Sequence, residues 1–294
     1  MIPIVFSTDH NFVMPTCVTI HSLLQTAKKG VKYEIFVIIN KDVTEEDKEL
    51  LIAQVKQDNE ECKIDFINIG DTFVKSFEVR DISVATYSRL MIPWLLTTYD
   101  RVIYSDVDII FKEDISDVYQ IDMEGKLVAG HIGEGCKKGL LRRYINKIGG
   151  NPENYVNAGF LVMNCKLQRE QKLKERYLEL ATKQFLFQDQ DIINLVCKGK
   201  IGSIPATYDM NPAEAYNYEK GAVKLIHYAG LKPWDYFTYS WCDWWEVYKS
   251  SMVYDPQRNK ILSRRILSFS DEIKKRKKMI NRKLKFYREY IKLI

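Results

Sequence analysis

Arg101-Val-Ile-Tyr-Ser-Asp-Val-Asp-Ile-Ile-Phe111 reads as a buried strand that delivers two carboxylates and then returns to the core. Val102, Ile103 and Tyr104 are β-branched or aromatic and follow the turn-like Thr97-Thr98-Tyr99-Asp100. One residue separates Asp106 from Asp108, and alternate residues of an extended chain project to the same side, so both carboxylates can address one spot. Two anions held together there repel each other and lose hydration, which favours a cation between them. A hard divalent ion, Mg²⁺ or Mn²⁺, suits oxygen ligands and commonly arrives with a diphosphate. An isolated D-x-D is more often a pair of solvated loop carboxylates, so the rest of the chain must decide.

Working outward, Pro3 to Ser7 has the pattern of a strand and Val13 to Ala27 that of an apolar helix, with Pro15 tolerable in its first turn. Tyr33–Ile39 is almost continuously apolar, as expected of a strand covered on both faces. Thr44, followed by Glu45, Glu46 and Asp47, predicts a capped helix to about Gln57, and Lys63 to Ile69 a third strand. Such alternation argues for βαβ units and a mostly parallel central sheet covered by helices. Beyond it, Ser83 to Leu96 is expected as a helix kinked or broken at Pro93. Leu127 to His131 and Tyr155 to Cys165 are expected as strands, the latter with a tight backbone point at Gly159. Gly133 to Gly139 is expected as a mobile loop, Arg169 to Gln184 as one amphipathic helix, Gln188 to Asn194 as the start of another, and Val223 to Tyr228 as a late strand.

The 294 residues are 46% hydrophobic and 28% charged, which suits a soluble globular chain with a real core. No basic segment backed by an apolar run and no stretch of 18 apolar residues predicts a signal peptide or a spanning helix. Cys17, Cys62, Cys136, Cys165, Cys197 and Cys242 form no C-x-x-C pair, so free thiols in a reducing cytoplasm are expected and no zinc site. The net charge of +5 divides unevenly: residues 255–294 hold 14 Lys/Arg against 4 Asp/Glu, while 1–254 hold 30 against 35. In that tail a helix start at Ser270 is followed by Ile273, Ile280, Leu284, Tyr287, Ile291 and Ile294, one apolar stripe among basic residues. Such a helix is expected to lie on an anionic membrane surface through 260–294. Packing against the body or gripping a partner helix are the alternatives.

In open α/β sheets ligands collect at the carboxyl ends of the strands. Asp9-His-Asn11, the Asp106/Asp108 pair and His227 all fall at such ends. Asp9 is equally suited to capping a turn, and a lone histidine on an apolar strand is more often a satisfied core residue. Together, two carboxylates and an imidazole make a set for Mn²⁺ or Mg²⁺, with Lys232 near enough in sequence to share an anion.

At this point the chain resembles the family 8 retaining glycosyltransferases, which include bacterial lipopolysaccharide galactosyl- and glucosyltransferases and glycogenin. The stretches that carry the resemblance are Ile4-Val-Phe-Ser-Thr-Asp-His-Asn-Phe12, Tyr87-Ser-Arg-Leu90, Val102-Ile-Tyr-Ser-Asp-Val-Asp108, Asn157-Ala-Gly-Phe-Leu-Val-Met-Asn164, Gln188-Asp-Gln-Asp191 and His227-Tyr-Ala-Gly-Leu-Lys-Pro-Trp234. The resemblance implies a GT-A (nucleotide-diphosphate-sugar transferase) fold over 1–254, a UDP-sugar donor and Mn²⁺ held by Asp106, Asp108 and His227. It implies that Asp9 and Asn11 touch the uridine with Phe12 near the base, and that Val107 belongs to the donor site. It further implies that Arg89 and Asp189 hold the donor sugar and its surroundings, that Asn157 lines the sugar pocket, and that Gly230 and Lys232 bind the diphosphate. Gln190, with Asp189 beside it, would sit at the anomeric carbon. In two places the chain departs from the family pattern. Gly230 and Lys232 are separated by one residue where the family usually has two, and Gly133 stands where some relatives carry an acceptor-binding acid.

The expectation is a hexosyltransferase at the cytoplasmic face of the plasma membrane, extending a lipid-linked oligosaccharide of lipopolysaccharide or capsule, with no nucleic-acid partner. The alternatives are a haloacid-dehalogenase-like metal phosphohydrolase, in which the first aspartate of a D-x-D is a nucleophile, and a non-catalytic membrane-surface module.

Overall fold

The computed structural model describes residues 1–70, 84–219, 221–235, 238–257, 260 and 276–281, with backbone alone for 84–86. Its first part alternates as the apolar pattern predicts: β1 (Ile2–Thr8), α1 (Val13–Thr26), β2 (Tyr33–Ile39), α2 (Glu45–Asp58) and β3 (Lys63–Asn68). Thr44 caps α2 reciprocally. Its Oγ1 accepts from the Asp47 N–H at 3.2 Å, while an Asp47 carboxylate oxygen accepts from the Thr44 N–H at 2.9 Å. Two otherwise unpaired helix donors are thereby satisfied.

There follow α3 (Ile92–Leu95), β4 (Arg101–Ser105), β5 (Ile109–Phe111), β6 (Val128–Ile132), α4 (Gly139–Lys147) and β7 (Val156–Asn164). Then come α5 (Cys165–Glu170), α6 (Lys174–Ala181), α7 (Asp189–Val196), β8 (Ile201–Ser203), α8 (Pro212–Tyr216), β9 (Leu225–His227) and α9 (Trp241–Ser250). Seven strands make one sheet in the order β3-β2-β1-β4-β7-β6-β8, and β5 and β9 make a separate two-stranded sheet. Only β7 runs against its neighbours in the large sheet. Alternate side chains go to opposite faces. Ile4, Phe6, Ile35, Val37 and Ile103 meet Ile20 of α1 and Leu51 of α2, whereas Val5, Phe36, Ile38, Val102 and Tyr104 share a core with Tyr177 of α6 and Ile192 of α7. Both faces are therefore apolar, which is why β2 reads as an unbroken hydrophobic run.

Two expected helices are corrected. In place of one helix from Ser83 to Leu96, Val84–Met91 is a 3-10 run and the α-helical turn begins only at Ile92. Pro93 has no N–H and is tolerated only in a helix's first turn, so the α-helix starts there instead of kinking. The stretch expected as a single helix over Arg169–Gln184 is α5 and α6 with a break at Lys172, whose φ is 54°. The loop after β6 contains a 3-10 turn, Glu134–Lys137, and α4, α8, β8 and α9 are further elements with no counterpart in the periodicity above. All six cysteines are free thiols. In the tail, 276–281 is helical with every residue exposed, Ile280 included at 54%. Ser270, Ile273, Leu284, Tyr287, Ile291 and Ile294 lie outside the described residues. Among the described residues no helix is long and apolar enough to cross a membrane.

Candidate active site

The parallel strands β1 and β4 end side by side, at Thr8 and Ser105, and deliver Asp9 and Asp106 to one edge of the sheet. Because β7 is antiparallel to β4, its start comes to the same edge: Ser105 pairs with Phe160, and the Asp106 N–H donates to the Gly159 carbonyl at 2.7 Å. The chain then leaves the large sheet. A buried hydroxyl of α1, Thr19 Oγ1, lies 2.8 Å from both the Val107 and Ile109 carbonyls and straps this crossing to the helix. Ile109 pairs with His227 across β5 and β9, and the Tyr228 N–H donates to the Asp108 carbonyl at 2.8 Å. Strand register thus brings His227 beside Asp108.

The three side chains converge. His227 Nε2 lies 3.3 Å from Asp108 Oδ1 and 3.7 Å from Asp106 Oδ2, and one ligand atom from each residue falls within 4.8 Å of the others. Asp108 Oδ1 is buried and accepts no hydrogen bond, while Oδ2 is paired with the Lys232 ammonium. An orphaned buried carboxylate oxygen beside a second carboxylate and an imidazole fits a hard divalent ion. The electrostatics are those of a concentrated charge cluster. Burial by itself raises the Asp108 pKa, but Lys232 and His227 hold it well below the usual carboxylate range. Burial likewise opposes the His227 imidazolium, but Asp108 and Asp209 raise its pKa well above the ordinary histidine value.

Behind this cluster stands Arg89, 4% exposed. Its guanidinium reaches Asp106 Oδ1 at 2.8 Å, Asp189 Oδ2 at 3.0 Å and the Ala158 carbonyl at 2.6 Å, with the Tyr104 ring centroid 4.5 Å from its central carbon. Tyr104 donates its hydroxyl to Asp106 at 2.7 Å. Burial pushes Asp189 up to about 6, with Arg89 opposing and Asp106 adding to the shift. Asp189 opens α7 behind Gln188, whose φ of 47° is unusual for a residue with a side chain. The Gln190 carboxamide oxygen accepts from the Ala158 N–H at 3.2 Å. Asp191 points the other way, taking hydroxyls from Tyr144 (2.7 Å) and Tyr155 (2.6 Å) and the Phe187 N–H (2.7 Å).

The remaining candidates surround this centre. Asp9 Oδ1 accepts from the Asn11 and Phe12 N–H groups at 2.9 and 3.2 Å, so it shapes the turn that presents Asn11. Phe12 meets Trp234 edge to face, 6.0 Å between centroids. Asn157 Oδ1 accepts from the Gly159 N–H at 2.7 Å, and the Gly230 N–H donates to the Tyr228 carbonyl at 2.7 Å. Val107 keeps its side chain in the core, 8% exposed. Lys232 reaches Asp108 and the Tyr228 carbonyl at 2.9 Å despite its shortened spacing from Gly230. The reading of residues missed Tyr104, Thr19 and Asp209. Tyr104 and Thr19 sit in apolar stretches that read as core, and Asp209, in Tyr208-Asp-Met-Asn-Pro, has the look of a turn residue.

The model of the glycosyl transferase family 8 matches residues 3–238, which include all six stretches quoted above. The chain belongs to that family. The lipopolysaccharide 1,2-glucosyltransferase of Escherichia coli K12 is 25% identical over 271 residues, covering 85% of this chain and 75% of its own. A Haemophilus influenzae protein provisionally called a glycosyltransferase is 26% identical over 220 residues, or 72% of this chain; the match spans only 64% of that relative's length. Among solved structures, the galactosyltransferase LgtC with donor and acceptor sugar analogues superposes with a TM-score of 0.74 at 22% identity, over 88% of this chain and 99% of that one. That likeness shows the fold, GT-A. The family match ends at residue 238, so the basic tail lies outside it.

Proposed function

We propose that this family 8 chain is a retaining hexosyltransferase that moves a hexose from a UDP-sugar, UDP-galactose or UDP-glucose, to a hydroxyl of a lipopolysaccharide or capsule glycan, with Mn²⁺ (or Mg²⁺) as cofactor. The observation that carries the reading is the convergence of Asp106, Asp108 and His227 at the carboxyl edge of the sheet, with the orphaned Asp108 oxygen among them. Asp106, Asp108 and His227 would hold the ion, and a divalent ion bound there supplies positive charge to a diphosphate leaving group.

The chain's own residues do the rest. Lys232 adds a positive charge where the diphosphate would leave, and Arg89 holds the Asp106 carboxylate in place through a 2.8 Å ion pair. Phe12 packed edge to face on Trp234, with Asn11 next to it in the chain, offers aromatic and polar groups suited to a nucleoside. Retention of configuration could pass through a covalent sugar–enzyme adduct, which needs a nucleophile beneath the sugar. Asp189 is engaged by Arg89 and Gln190 is an amide bonded to Ala158, so neither is poised for attack. Front-side delivery of the acceptor hydroxyl, with its proton passing to the departing phosphate, fits these residues better. The phosphohydrolase alternative asks Asp106 to be a nucleophile, yet one of its oxygens is taken by Arg89 and Tyr104.

Residues 260–294 we assign to the cytoplasmic face of the plasma membrane, on the strength of their charge and apolar stripe. The decisive experiment is UDP release from a panel of UDP-sugars with Mn²⁺ and then with EDTA. Mn²⁺-dependent release from one hexose donor is expected, and phosphate release from monoesters without sugar-nucleotide dependence would overturn the reading. Intact-mass detection of a glycosyl adduct on Asp189 or Gln190 would overturn the front-side route alone.

A further inference from the structure

An imidazole can offer Nε2 to a cation only in the tautomer that carries its proton on Nδ1. In His227 that second nitrogen is 2.7 Å from Asp209 Oδ1, while Nε2 faces Asp106 and Asp108. The Asp209 side chain is 1% exposed. Its other oxygen, Oδ2, is buried and accepts no hydrogen bond. A buried carboxylate with one unsatisfied oxygen is destabilising unless its remaining contact is a strong one, and here that contact is the histidine.

The backbone fixes the pair. Asp209 N donates to the Ala206 carbonyl at 3.0 Å, and the next residue, Met210, bridges to Ile226 and accepts the His227 N–H at 2.8 Å. Asp209 and His227 therefore hang from one small piece of strand pairing. Tyr208 secures it from the other side, stacked on Phe160 at 6.3 Å with its hydroxyl donated to Asp117 at 2.5 Å. The His227 ring lies over the bare backbone of Gly159, which has no side chain to steer it. Among the described residues, only Asp209 bonds the far nitrogen.

We propose that Asp209 is the positioning residue of the cation site: it accepts the Nδ1–H of His227 and so fixes the tautomer and ring angle that direct Nε2 at the ion held by Asp106 and Asp108. A carboxylate in this place also makes the imidazole a stronger donor to the ion. The inference rests on the metal-dependent reading given above.

The test uses the full chain and Mn²⁺ alone as the probe, with Asp209→Ala and Asp209→Asn beside the wild type. Asp209→Ala is expected to weaken Mn²⁺ binding about 10- to 100-fold. Asp209→Asn keeps an oxygen acceptor for the Nδ1–H and is expected to recover affinity to within about five-fold. Long-range ¹H–¹⁵N spectra of the four histidines, recorded with Mg²⁺, give a second readout that mere loss of packing would not move. They should show His227 protonated on Nδ1 in the wild type and in Asp209→Asn. An Asp209→Ala protein that binds Mn²⁺ within two-fold of wild type, or a wild-type His227 that carries its proton on Nε2 and none on Nδ1, overturns the inference. If the alanine variant fails to fold, the wild-type tautomer decides by itself. A wild type that binds no Mn²⁺ brings down the cation reading and this inference together, whereas equal binding by wild type and Asp209→Ala removes only the role of Asp209.

Discussion

Gly159 leaves room for the imidazole of His227 and for nothing else: a Cβ built there would stand 2.1 Å from Cε1 and 2.8 Å from each ring nitrogen. Both partners are strand residues, so neither backbone can easily retreat. Gly159→Ala is expected to push the ring off the Asp106/Asp108 centre, weakening Mn²⁺ binding ten-fold or more. Overpacking of this kind destabilises by about 1–3 kcal/mol. Metal titration and thermal melting read the two effects separately, and unchanged metal affinity in the folded variant would refute the placement of His227.

Asp108 supplies the buried oxygen that no protein donor satisfies. Ligand that binds only the folded chain raises its stability, by about 2.7 kcal/mol at 100 times Kd. Mn²⁺ with UDP should therefore raise the melting temperature of the wild type and leave Asp108→Ala unmoved. UDP release by that variant should fall at least about 100-fold, in line with loss of a charge-stabilising group.

Arg89 forks between Asp106 and Asp189 and lies over Tyr104, a geometry that depends on the planar guanidinium. Arg89→Lys should keep the charge yet lose one of the two carboxylate contacts. A fall in turnover of about 10-fold or more is expected, with a smaller loss of stability than in Arg89→Ala, which strands two carboxylates and costs about 3–5 kcal/mol. Equal melting temperatures for the two variants would contradict this division.

Asp114 is one source of pH dependence in the scaffold. Its carboxylate, 3% exposed, accepts from the Lys28 N–H at 2.9 Å and from the Ser116 hydroxyl and N–H at 2.5 and 3.1 Å. Burial pulls its pKa upward, but these hydrogen bonds prevail and hold it below the ordinary value. A depressed folded-state pKa means stability that is complete above about pH 4, the unfolded value, and is lost as pH falls through the folded one. Asp114→Asn should lose about 1–3 kcal/mol near neutrality and show a flatter acid limb in urea unfolding between about pH 5 and pH 2.

The tail makes a separate prediction. The full chain should float with vesicles containing anionic lipid and a chain ending at residue 259 should not, while Mn²⁺ binding is the same in both. Retention of the shortened chain on the vesicles would remove the membrane role from 260–294.

Much of the fold is legible because β1, β2 and α2 obey local rules: unbroken apolar runs, and Thr44 followed by acids. Asp106 and Asp108 are legible for a similar reason, since their spacing alone puts them on one side of an extended chain. His227 becomes legible only through the company of Gly230, Lys232 and Trp234. The helix expected over Ser83–Leu96 fails because Tyr87 to Ile92 is buried almost throughout, so tertiary contacts of Arg89 and Tyr87, not a single apolar face, set its backbone. Arg169–Gln184 fails at Lys172, where a left-handed residue interrupts a pattern that charge periodicity alone cannot distinguish from a helix. Asp209 carries no periodic or motif signal, since its meaning comes from a strand bridge that exists only in three dimensions.

The short sheet of β5 and β9 ties the start of the site to a segment more than a hundred residues further along. On a ribosome, a chain that has emerged only as far as β7 already has both aspartates but not His227, Asp209 or Lys232. Half-made protein consequently lacks one of the three side chains that converge at the candidate cation site.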